Sequence, residues 1–544
     1  MSTTFTSLSQ TRRAPPKALF TLDQCRNGCA LNKCQCAMLG LLDSASSQET
    51  LVDQSYDHRI ERRMGDTELS YFLPARENGV NDMYLHLGFT APPHILERER
   101  IHLVWAILRT RHPLLASRVE MHDYNDVKFV YVPPHSAENA LEIAAINLEY
   151  RTQAKDELID SYLNGPRTLS NDRISYLVVS FPQRDALTAT TVKCEFLICA
   201  AHFLGDGMAL HQFANDFFSL LGSSTTSELA ALLSLEWHAR CGKLASERDS
   251  LPSCLEDRLP PLKGNFGRLA SRVDFHRSQE KLIGGQTFPK KSGAVRHTIV
   301  PTISIDEART KTLLKRCKAN GVSISSALFA ICNIAWAKAS GDRPEIPTLM
   351  YSALNLRSSL MVNKALNDSY WFLAIGYFNV ILPGFLPRSG NLAATFWHRA
   401  RSAKTQSTDA AKNPMTISRA REMARKRGEQ ARAWAKEDDD KERGLWKAPP
   451  PAPKKTGPPA SALIGLSLLG NLDGIYKHAA FENIKLDTLT TGSRQRAGGM
   501  LLFGYTFVGK LWLSLGYDQN GFENEVVEKF WNNVLGYTDE FLIN

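Results

Sequence analysis

The chain has 544 residues, of which 43% are hydrophobic and 22% charged, and its formal net charge is +9. This length is too great for one compact core and predicts two lobes of about 200 residues each, with insertions. No apolar run approaches the ~18 residues of a membrane span, and the first residues lack the apolar core of a secretory signal. We therefore expect a cytoplasmic protein without a transmembrane segment.

Four cysteines lie close together near the N-terminus, at Cys25, Cys29, Cys34 and Cys36. Four thiols this close could bind zinc, but structural zinc sites more often contain pairs of cysteines two residues apart. We therefore interpret residues 1–54 as a polar, cysteine-containing N-terminal extension and expect no bound metal.

Strands and helices then alternate along the chain. In the first half, strands are predicted at 84–89, 128–132, 174–181 and 193–201, and helices at 97–109 and 210–221. In the second half, strands are predicted at 294–300 and 348–355, and helices at 305–320 and 323–339. This alternation predicts an α/β protein with lobes at about 55–235 and 290–544, joined by a Pro- and Gly-containing connection at 236–289.

The most informative segment joins the strand at 193–201 to the following helix. It places His202 at the strand end, followed by Gly205, Asp206 and Gly207 in an H-x-x-x-D-G pattern. A neutral imidazole that faces a cleft can take the proton of an attacking hydroxyl or amine, which is what acyl transfer requires of a general base. A lone histidine is more often structural, so the pattern alone does not decide the function. Together with three further segments of the chain, the H-x-x-x-D-G pattern predicts His202 as the general base.

Three further segments accompany this motif. They are Arg-His-Pro-Leu-Leu at 111–115, Asn-Leu-Arg at 355–357, and Leu-Trp-Leu-Ser-Leu-Gly-Tyr-Asp at 511–518. In this order and at these spacings, the four segments resemble the condensation-domain-like acyltransferase superfamily, from about Arg62 to the C-terminus. Within the superfamily, the residues from Ala201 through the following helix most resemble the fungal trichothecene 15-O-acetyltransferase group.

Two departures from other branches of the superfamily are informative. Condensation domains usually have a second histidine directly before the catalytic one, and this chain has Ala201 there. That difference favours a stand-alone alcohol acyltransferase over a peptide-bond-forming enzyme. Plant members carry a D-F-G-W-G segment near the C-terminus, which this sequence lacks.

The resemblance implies a two-lobed, chloramphenicol-acetyltransferase-like fold, with mixed sheets flanked by helices and a tunnel between the lobes. It implies acetyl-CoA as co-substrate, no bound cofactor, and transfer to a hydroxyl of an apolar, terpenoid small molecule. We expect a monomer. Two alternatives remain open: a condensation-type enzyme that uses a carrier-bound donor, and a non-catalytic member that binds a small molecule or a partner in the same cleft.

The resemblance also assigns roles to residues around His202. It pairs Asp206 with Arg357 of the other lobe, and such a pair compensates a partly buried carboxylate and fixes the turn that aims the histidine. Gly207 is expected to leave room for close approach of the substrate. Weaker substrate or coenzyme A candidates are Ser467, Gly470, Gly498 and Gly499. We interpret His112, after a helix, and His211, on the helix behind the motif, as structural.

Most of the positive charge lies in one segment, residues 401–460, which contains fifteen Lys and Arg and eight Asp and Glu. We interpret this segment as a basic, Pro-rich insertion in the second lobe, with a solvated helix around 419–427 and a linker at 447–455. Its charges could attract the anionic coenzyme A. It contains no recognisable nucleic-acid-binding module, so we expect no nucleic-acid partner.

Overall fold

The computed structural model describes residues 59–544 apart from 183–189, 243–250, 263, 294, 341–342, 362–368, 389–390 and 449–458. The cysteine cluster at 25–36 and most of the expected linker at 447–455 lie outside the described residues.

The first half of the chain contains most of the predicted elements within a few residues of their expected ends. Its strands are β1 (Ile60–Arg63), β2 (Met83–Ala91), β3 (Arg118–Met121), β4 (Val127–Tyr131), β5 (Leu148–Arg151), β6 (Ser175–Ser180) and β7 (Val192–Ala200). Its helices are α1 (Asp66–Ala75), α2 (Arg98–Arg111), α3 (Ala137–Ile146), α4 (Lys155–Asn164), α5 (Gly207–Ser223) and α6 (Thr226–Cys241).

The second half begins with two helices inside the expected connection, α7 (Leu255–Arg258) and α8 (Gly264–Glu280). The remaining helices are α9 (Glu307–Ala319), α10 (Ile324–Ala339), α11 (Leu392–Lys412), α12 (Thr416–Glu442) and α13 (Asn524–Leu542). The strands are β8 (Thr298–Ile299), β9 (Thr302–Ile305), β10 (Thr348–Asn355), β11 (Ile375–Leu382), β12 (Ile464–Asn471), β13 (Lys485–Ser493), β14 (Met500–Phe507) and β15 (Lys510–Asp518).

Two large mixed sheets organise these elements. The first has the order β13-β2-β7-β6-β5, and the second has β11-β10-β12-β14-β15-β8 with β9 also paired to β15. Strand β13 comes from the second half of the chain but pairs with β2 along its whole length, from Lys485 opposite Thr90 to Ser493 opposite Met83. The first sheet is therefore completed by the second half of the sequence.

Each sheet has its own apolar core. The first core includes Trp105, Phe196 and Phe213, and the second includes Phe329, Leu513 and Phe530. Burial of this apolar area is what holds each set of helices against its sheet. Within the predicted strand at 294–300 the structure has only the short β8, and β9 follows as a separate strand that was not predicted. Pro301 lies between the two strands and has no N–H to donate to the ladder.

The structure corrects the interpretation of residues 419–427 as a solvated helix. Helix α12 packs against α1 and α8, and one of its faces is buried through Ser418, Glu422, Ala424, Gly428, Ala431 and Ala435. A Cβ on Gly428 would lie 2.4 Å from Oδ1 of Asp66 at the start of α1, so the two helices approach closely there. The basic residues of α12 indicated a solvated helix, but its small residues have a regular spacing that is typical of close helix packing.

Several of the basic side chains of α12 are neutralised by neighbours. Arg419 holds Asp274 of α8 through two hydrogen bonds of 2.6 and 2.8 Å, and Arg432 lies 2.8 Å from Asp66. Charge pairs of this kind reduce the field that the segment could exert on a distant anion.

No single helix in the described part of the chain is long and apolar enough to cross a membrane. Helices α9 and α10 pass such a test only as a pair, and they are bent by 92° relative to each other.

Candidate active site

His202 lies in the turn between β7 and α5. The strand before it is buried throughout its apolar part and ends at Ala200, and the backbone then turns through a hydrogen bond from Leu204 N to Ala201 O. The imidazole Nδ1 lies 3.1 Å from the carbonyl oxygen of Gly205. Because a carbonyl can only accept, Nδ1 carries the proton of the neutral ring, and the lone pair is on Nε2.

The surroundings of His202 favour this neutral ring. Burial lowers the pKa of His202 below its usual value, and the positive charge of Arg427 acts in the same direction, while Asp206 and two backbone hydrogen bonds act in the opposite one. The side chain keeps part of its surface accessible although protein atoms surround it on most sides. A neutral histidine with a free Nε2 can accept a proton near pH 7.

Asp206 holds the turn together rather than facing His202. Its Oδ1 accepts from the N–H groups of Met208 and Ala209, as expected of the residue that caps a helix, at 3.1 and 3.3 Å. Its Oδ2 accepts from Nη1 of Arg357 at 2.8 Å and from the N–H of Ala374 at 3.0 Å. The structure thus brings Asp206 and Arg357 together across the two halves of the chain.

Arg357 follows β10 and is itself fixed by several contacts. Its Nη2 donates to the carbonyl oxygens of Tyr370 and Phe372 at 3.3 and 3.2 Å, and its guanidinium lies 5.1 Å from the Phe372 ring centroid. The pair therefore ties the 369–374 segment to the start of α5.

The two glycines of the motif meet different surroundings. A Cβ on Gly205 would lie 2.8 Å from Cε3 of the buried Trp371, so this position requires glycine. A Cβ on Gly207 would meet only Leu469, at 3.4 Å. The protein's own atoms therefore do not exclude a side chain at Gly207, and its expected role toward a substrate stays a prediction.

The weaker candidates are not gathered in one place. Ser467 lies half-buried in β12, opposite Phe503. Gly470 lies exposed near the end of β12, with φ of 75°, whereas Gly498 and Gly499 form a turn before β14 at the other end of this parallel pair. The N–H of Gly498 donates to Oδ2 of Asp518 at 2.9 Å, so this turn has a partner within the fold.

His112 and His211 are both buried. His112 ends α2, and its Nδ1 lies 3.1 Å from Oγ of Ser369. His211 lies 2.9 Å from the hydroxyl of Tyr476. Burial lowers the pKa of each to about 3.

Sequence reasoning missed three residues beside His202. Tyr71 of α1 stacks on the imidazole, with ring centroids 4.1 Å apart and planes 23° apart. Its hydroxyl contacts that of Tyr377 in β11, and the guanidinium of Arg427 in α12 lies 5.0 Å from the Tyr71 ring centroid and 4.7 Å from that of Tyr377. No sequence pattern indicates helix α1, and the basic residues around Arg427 indicate a solvated helix, so no pattern joins the three residues.

Comparisons with known proteins agree with this architecture. The chain is 24% identical over 256 residues to trichothecene O-acetyltransferase TRI3 of Trichoderma arundinaceum, a match that covers 44% of this chain and 48% of that protein. The match thus spans about half the length of that relative. No family model matches the chain.

Solved structures match over nearly the whole chain. The TRI3 trichothecene 15-O-acetyltransferase from Fusarium sporotrichioides has a TM-score of 0.71 at 14% identity, covering 90% of this chain and 96% of that one. The condensation domain of the monacolin K polyketide synthase MokA has a TM-score of 0.53 at 11% identity, covering 89% and 98%. The cyclization-docking bidomain of EpoB from Sorangium cellulosum has a TM-score of 0.53 at 13% identity, covering 91% and 87%.

The chain therefore has the two-lobed fold of these proteins, and the predicted resemblance and fold class are confirmed. At this level of identity the likeness concerns the fold, and the chemistry has to be argued from the residues of the site.

Proposed function

We propose that this chain, which has the fold of the condensation-domain-like acyltransferases, is an acyl-CoA-dependent O-acyltransferase that acetylates a hydroxyl of an apolar, terpenoid small molecule. The observation that carries the proposal is the state of His202. Its Nδ1 lies 3.1 Å from the Gly205 carbonyl oxygen and burial lowers its pKa, so that a neutral imidazole with a free Nε2 sits at the end of β7.

In the proposed reaction, Nε2 of His202 takes the proton of the acceptor hydroxyl while the oxygen attacks the thioester carbonyl carbon. The carbonyl π electrons move to oxygen and form a tetrahedral oxyanion. When this intermediate collapses, the C–S bond breaks, the ester is released, and the thiolate of coenzyme A recovers the proton from His202. Holding the two partners together can supply roughly 7–11 kcal/mol of the barrier, which is why a base and a shaped site suffice.

The contacts of His202 support direct transfer over a covalent acyl-enzyme. Its Nδ1 donates to a backbone carbonyl, and its ring packs on the ring of Tyr71. Neither of these two contacts is a hydrogen bond to a serine or cysteine side chain that His202 could activate as a nucleophile. The nearby thiol of Cys199 is buried within β7, and burial raises its pKa, which keeps it as an unreactive thiol.

The acceptor class rests on the two trichothecene acetyltransferases that the chain resembles. The proposed donor is soluble acetyl-CoA, because Ala201 replaces the second histidine usual in condensation domains.

The test is an assay of the purified protein with acetyl-CoA and a hydroxylated trichothecene, measuring thiol release and the acetyl ester by mass spectrometry. We expect both products with no other protein added. His202→Ala should lower turnover by roughly 10²–10⁴, the usual contribution of a general base. His102→Ala, which removes a histidine packed near Tyr150 of the edge strand β5, should leave turnover unchanged.

Each alternative has its own outcome in this assay. Dependence on an added acyl carrier protein would replace this proposal with the condensation-type reaction. Wild-type turnover by a folded His202→Ala variant would remove the mechanism. Coenzyme A binding without any transfer would indicate a non-catalytic member.

A further inference from the structure

Three side chains from separate parts of the chain meet beside His202. Tyr71 comes from α1, Tyr377 from β11 and Arg427 from α12. The two tyrosine hydroxyls are in contact, and the Arg427 guanidinium faces both rings. We call this group the Tyr71 cluster.

Arg427 is held in the cluster by the packing of its helix. One residue further along, Gly428 allows α12 to lie against Asp66 of α1, and Arg432 then pairs with Asp66 at 2.8 Å. At the far end of α1, Nη2 of Arg76 donates to the carbonyl oxygen of Ala435 at 3.0 Å. These contacts fix the part of α12 that follows Arg427, and the pair of Arg419 with Asp274 of α8 fixes the part that precedes it. The position of the guanidinium is therefore built into the fold.

We propose that Tyr71 is a second catalytic residue, whose hydroxyl donates a hydrogen bond to the oxyanion of the tetrahedral intermediate, and that Tyr377 and Arg427 position it. This inference rests on the proposed function. It follows from where the hydroxyl lies and from how many protons the cluster contains.

One O–H group of the Tyr71 cluster has no acceptor within the cluster. A guanidinium has only donors, so Arg427 can accept nothing from either phenol. Either hydroxyl can donate in the contact between Tyr71 and Tyr377. In the arrangement in which Tyr377 donates to the oxygen of Tyr71, the Tyr71 proton has no acceptor within the cluster. It is then available to a ligand beside the His202 ring, on which Tyr71 stacks.

The Tyr71 hydroxyl is protonated near neutral pH, as a hydrogen-bond donor must be. Burial holds the pKa of this hydroxyl well above its usual range, and Tyr377 acts in the same direction, whereas Arg427 acts in the opposite one. The phenol thus keeps its proton near neutral pH. A nearby cation meanwhile polarises the O–H group, which strengthens its hydrogen bond to developing negative charge.

The proposed step adds no reactant to the reaction already described. As the acceptor oxygen bonds to the carbonyl carbon, the π electron pair moves to the carbonyl oxygen. The Tyr71 hydroxyl donates a hydrogen bond to the resulting oxyanion, and its proton is not transferred. When the C–S bond breaks, that electron pair re-forms the carbonyl and the hydrogen bond weakens. Stabilisation that is stronger in the transition state than in the ground state raises kcat.

The experiment compares four hydroxyl and guanidinium variants with acetyl-CoA and the alcohol acceptor that the wild type uses. Tyr71→Phe keeps the ring stacked on His202 and removes only the hydroxyl. It should lower kcat by about 10²–10³, the usual effect of losing one oxyanion donor, with little change in KM or in binding of coenzyme A. Tyr377→Phe, which removes a positioning group, should lower kcat by about tenfold.

Arg427 has a readout of its own. In Arg427→Gln the acidic limb of the pH profile of kcat/KM should move to higher pH, because a cation that disfavours protonation of His202 is gone. Asp206, the other charged group acting on His202, is unchanged in this variant. Arg427→Lys should keep part of the kcat that Arg427→Gln loses.

Tyr505→Phe is the matched control. Its hydroxyl is also buried, and it donates to the backbone carbonyl oxygen of Leu489 at 2.8 Å, so this variant reports the cost of losing a buried hydroxyl that is not part of the Tyr71 cluster. We expect wild-type kcat for Tyr505→Phe.

The outcomes separate the two proposals. Wild-type kcat in both Tyr71→Phe and Tyr377→Phe, with His202→Ala inactive, overturns only the role of Tyr71. If Tyr71→Phe does not fold, the other two variants decide. Wild-type kcat in Tyr377→Phe, together with an unchanged acidic limb in Arg427→Gln, would then overturn the role of Tyr71. Wild-type turnover in His202→Ala, or no acyl transfer by the wild type, overturns the proposed function and this inference with it.

Discussion

The ring of Tyr71 lies on the imidazole of His202, with centroids 4.1 Å apart and planes inclined by 23°. The hydrogen bond from Nδ1 to the Gly205 carbonyl holds the same imidazole from its edge. One contact fixes the plane of the ring and the other fixes its rotation, so Nε2 has a defined direction. Such preorganisation matters because a base acts only within hydrogen-bond reach of the proton it takes.

The first prediction concerns the pH dependence of turnover. Because burial lowers the pKa of His202, its charged form should appear only below the ordinary histidine value of about 6.5. The plot of log kcat/KM against pH should therefore be flat near neutrality and fall with a slope of one at lower pH, with a midpoint below about 6.5. A midpoint clearly above that value, or no acidic limb before the protein unfolds, would contradict a free-imidazole base.

The second prediction concerns the pair of Asp206 and Arg357. Breaking a buried ion pair usually costs about 3–5 kcal/mol in the free energy of unfolding, because the remaining charge loses its partner. Asp206→Ala should cost more than Arg357→Ala, since Asp206 also accepts from Met208, Ala209 and Ala374. Chemical denaturation of the two single variants and the double variant measures the coupling between them. Strictly additive losses would show that the pair does not stabilise the fold.

Much of the fold follows from local patterns in the sequence. Strand β7 and helix α5 were predicted because a continuous apolar run is followed by a turn and then by apolar residues at helical spacing. The contact of Asp206 with Arg357 was expected only through the resemblance, because no local pattern relates two residues 151 positions apart.

Helix α12 shows why the rest could not be predicted. Its many basic residues indicated a solvated helix, yet the small side chains of Ala424, Gly428, Ala431 and Ala435 form a buried face. Their spacing of three and four residues is a packing signal that the charges masked. Even with this signal, the sequence does not tell which helix is the partner, so the approach of Arg427 to Tyr71 could be found only in the structure.

The third prediction concerns stability in acid. His112 and His211 have pKa values lowered by burial to about 3, whereas each titrates near 6.5 in the unfolded chain. Between these values the unfolded chain binds more protons, so the free energy of unfolding should fall as the pH drops below about 6.5. Each histidine contributes up to about 1.4 kcal/mol per pH unit. His211→Gln should reduce this slope by that amount between pH 6 and 4, measured by denaturant unfolding, while an unchanged slope would mean that His211 is protonated in the folded protein.

The last prediction compares two glycines within helices. A Cβ on Gly428 would lie 2.4 Å from Oδ1 and 2.9 Å from Cβ of Asp66, so Gly428→Ala must push α12 away from α1. Such overpacking usually costs about 1–3 kcal/mol. A Cβ on Gly267 of α8 would meet nothing within 4 Å, and there Gly→Ala should stabilise the helix by about 0.5–1 kcal/mol.

The two variants make the same chemical change, so helix propensity acts in the same direction in both, and the difference between them reports the packing of α12. Gly428→Ala should also lower kcat, because displacing α12 moves Arg427 away from Tyr71, whereas Gly267→Ala should leave kcat unchanged. Thermal denaturation and steady-state kinetics measure both effects. Equal stabilisation in the two variants would mean that α12 is not pressed against α1 in solution, and the position of Arg427 beside His202 would then lose its support.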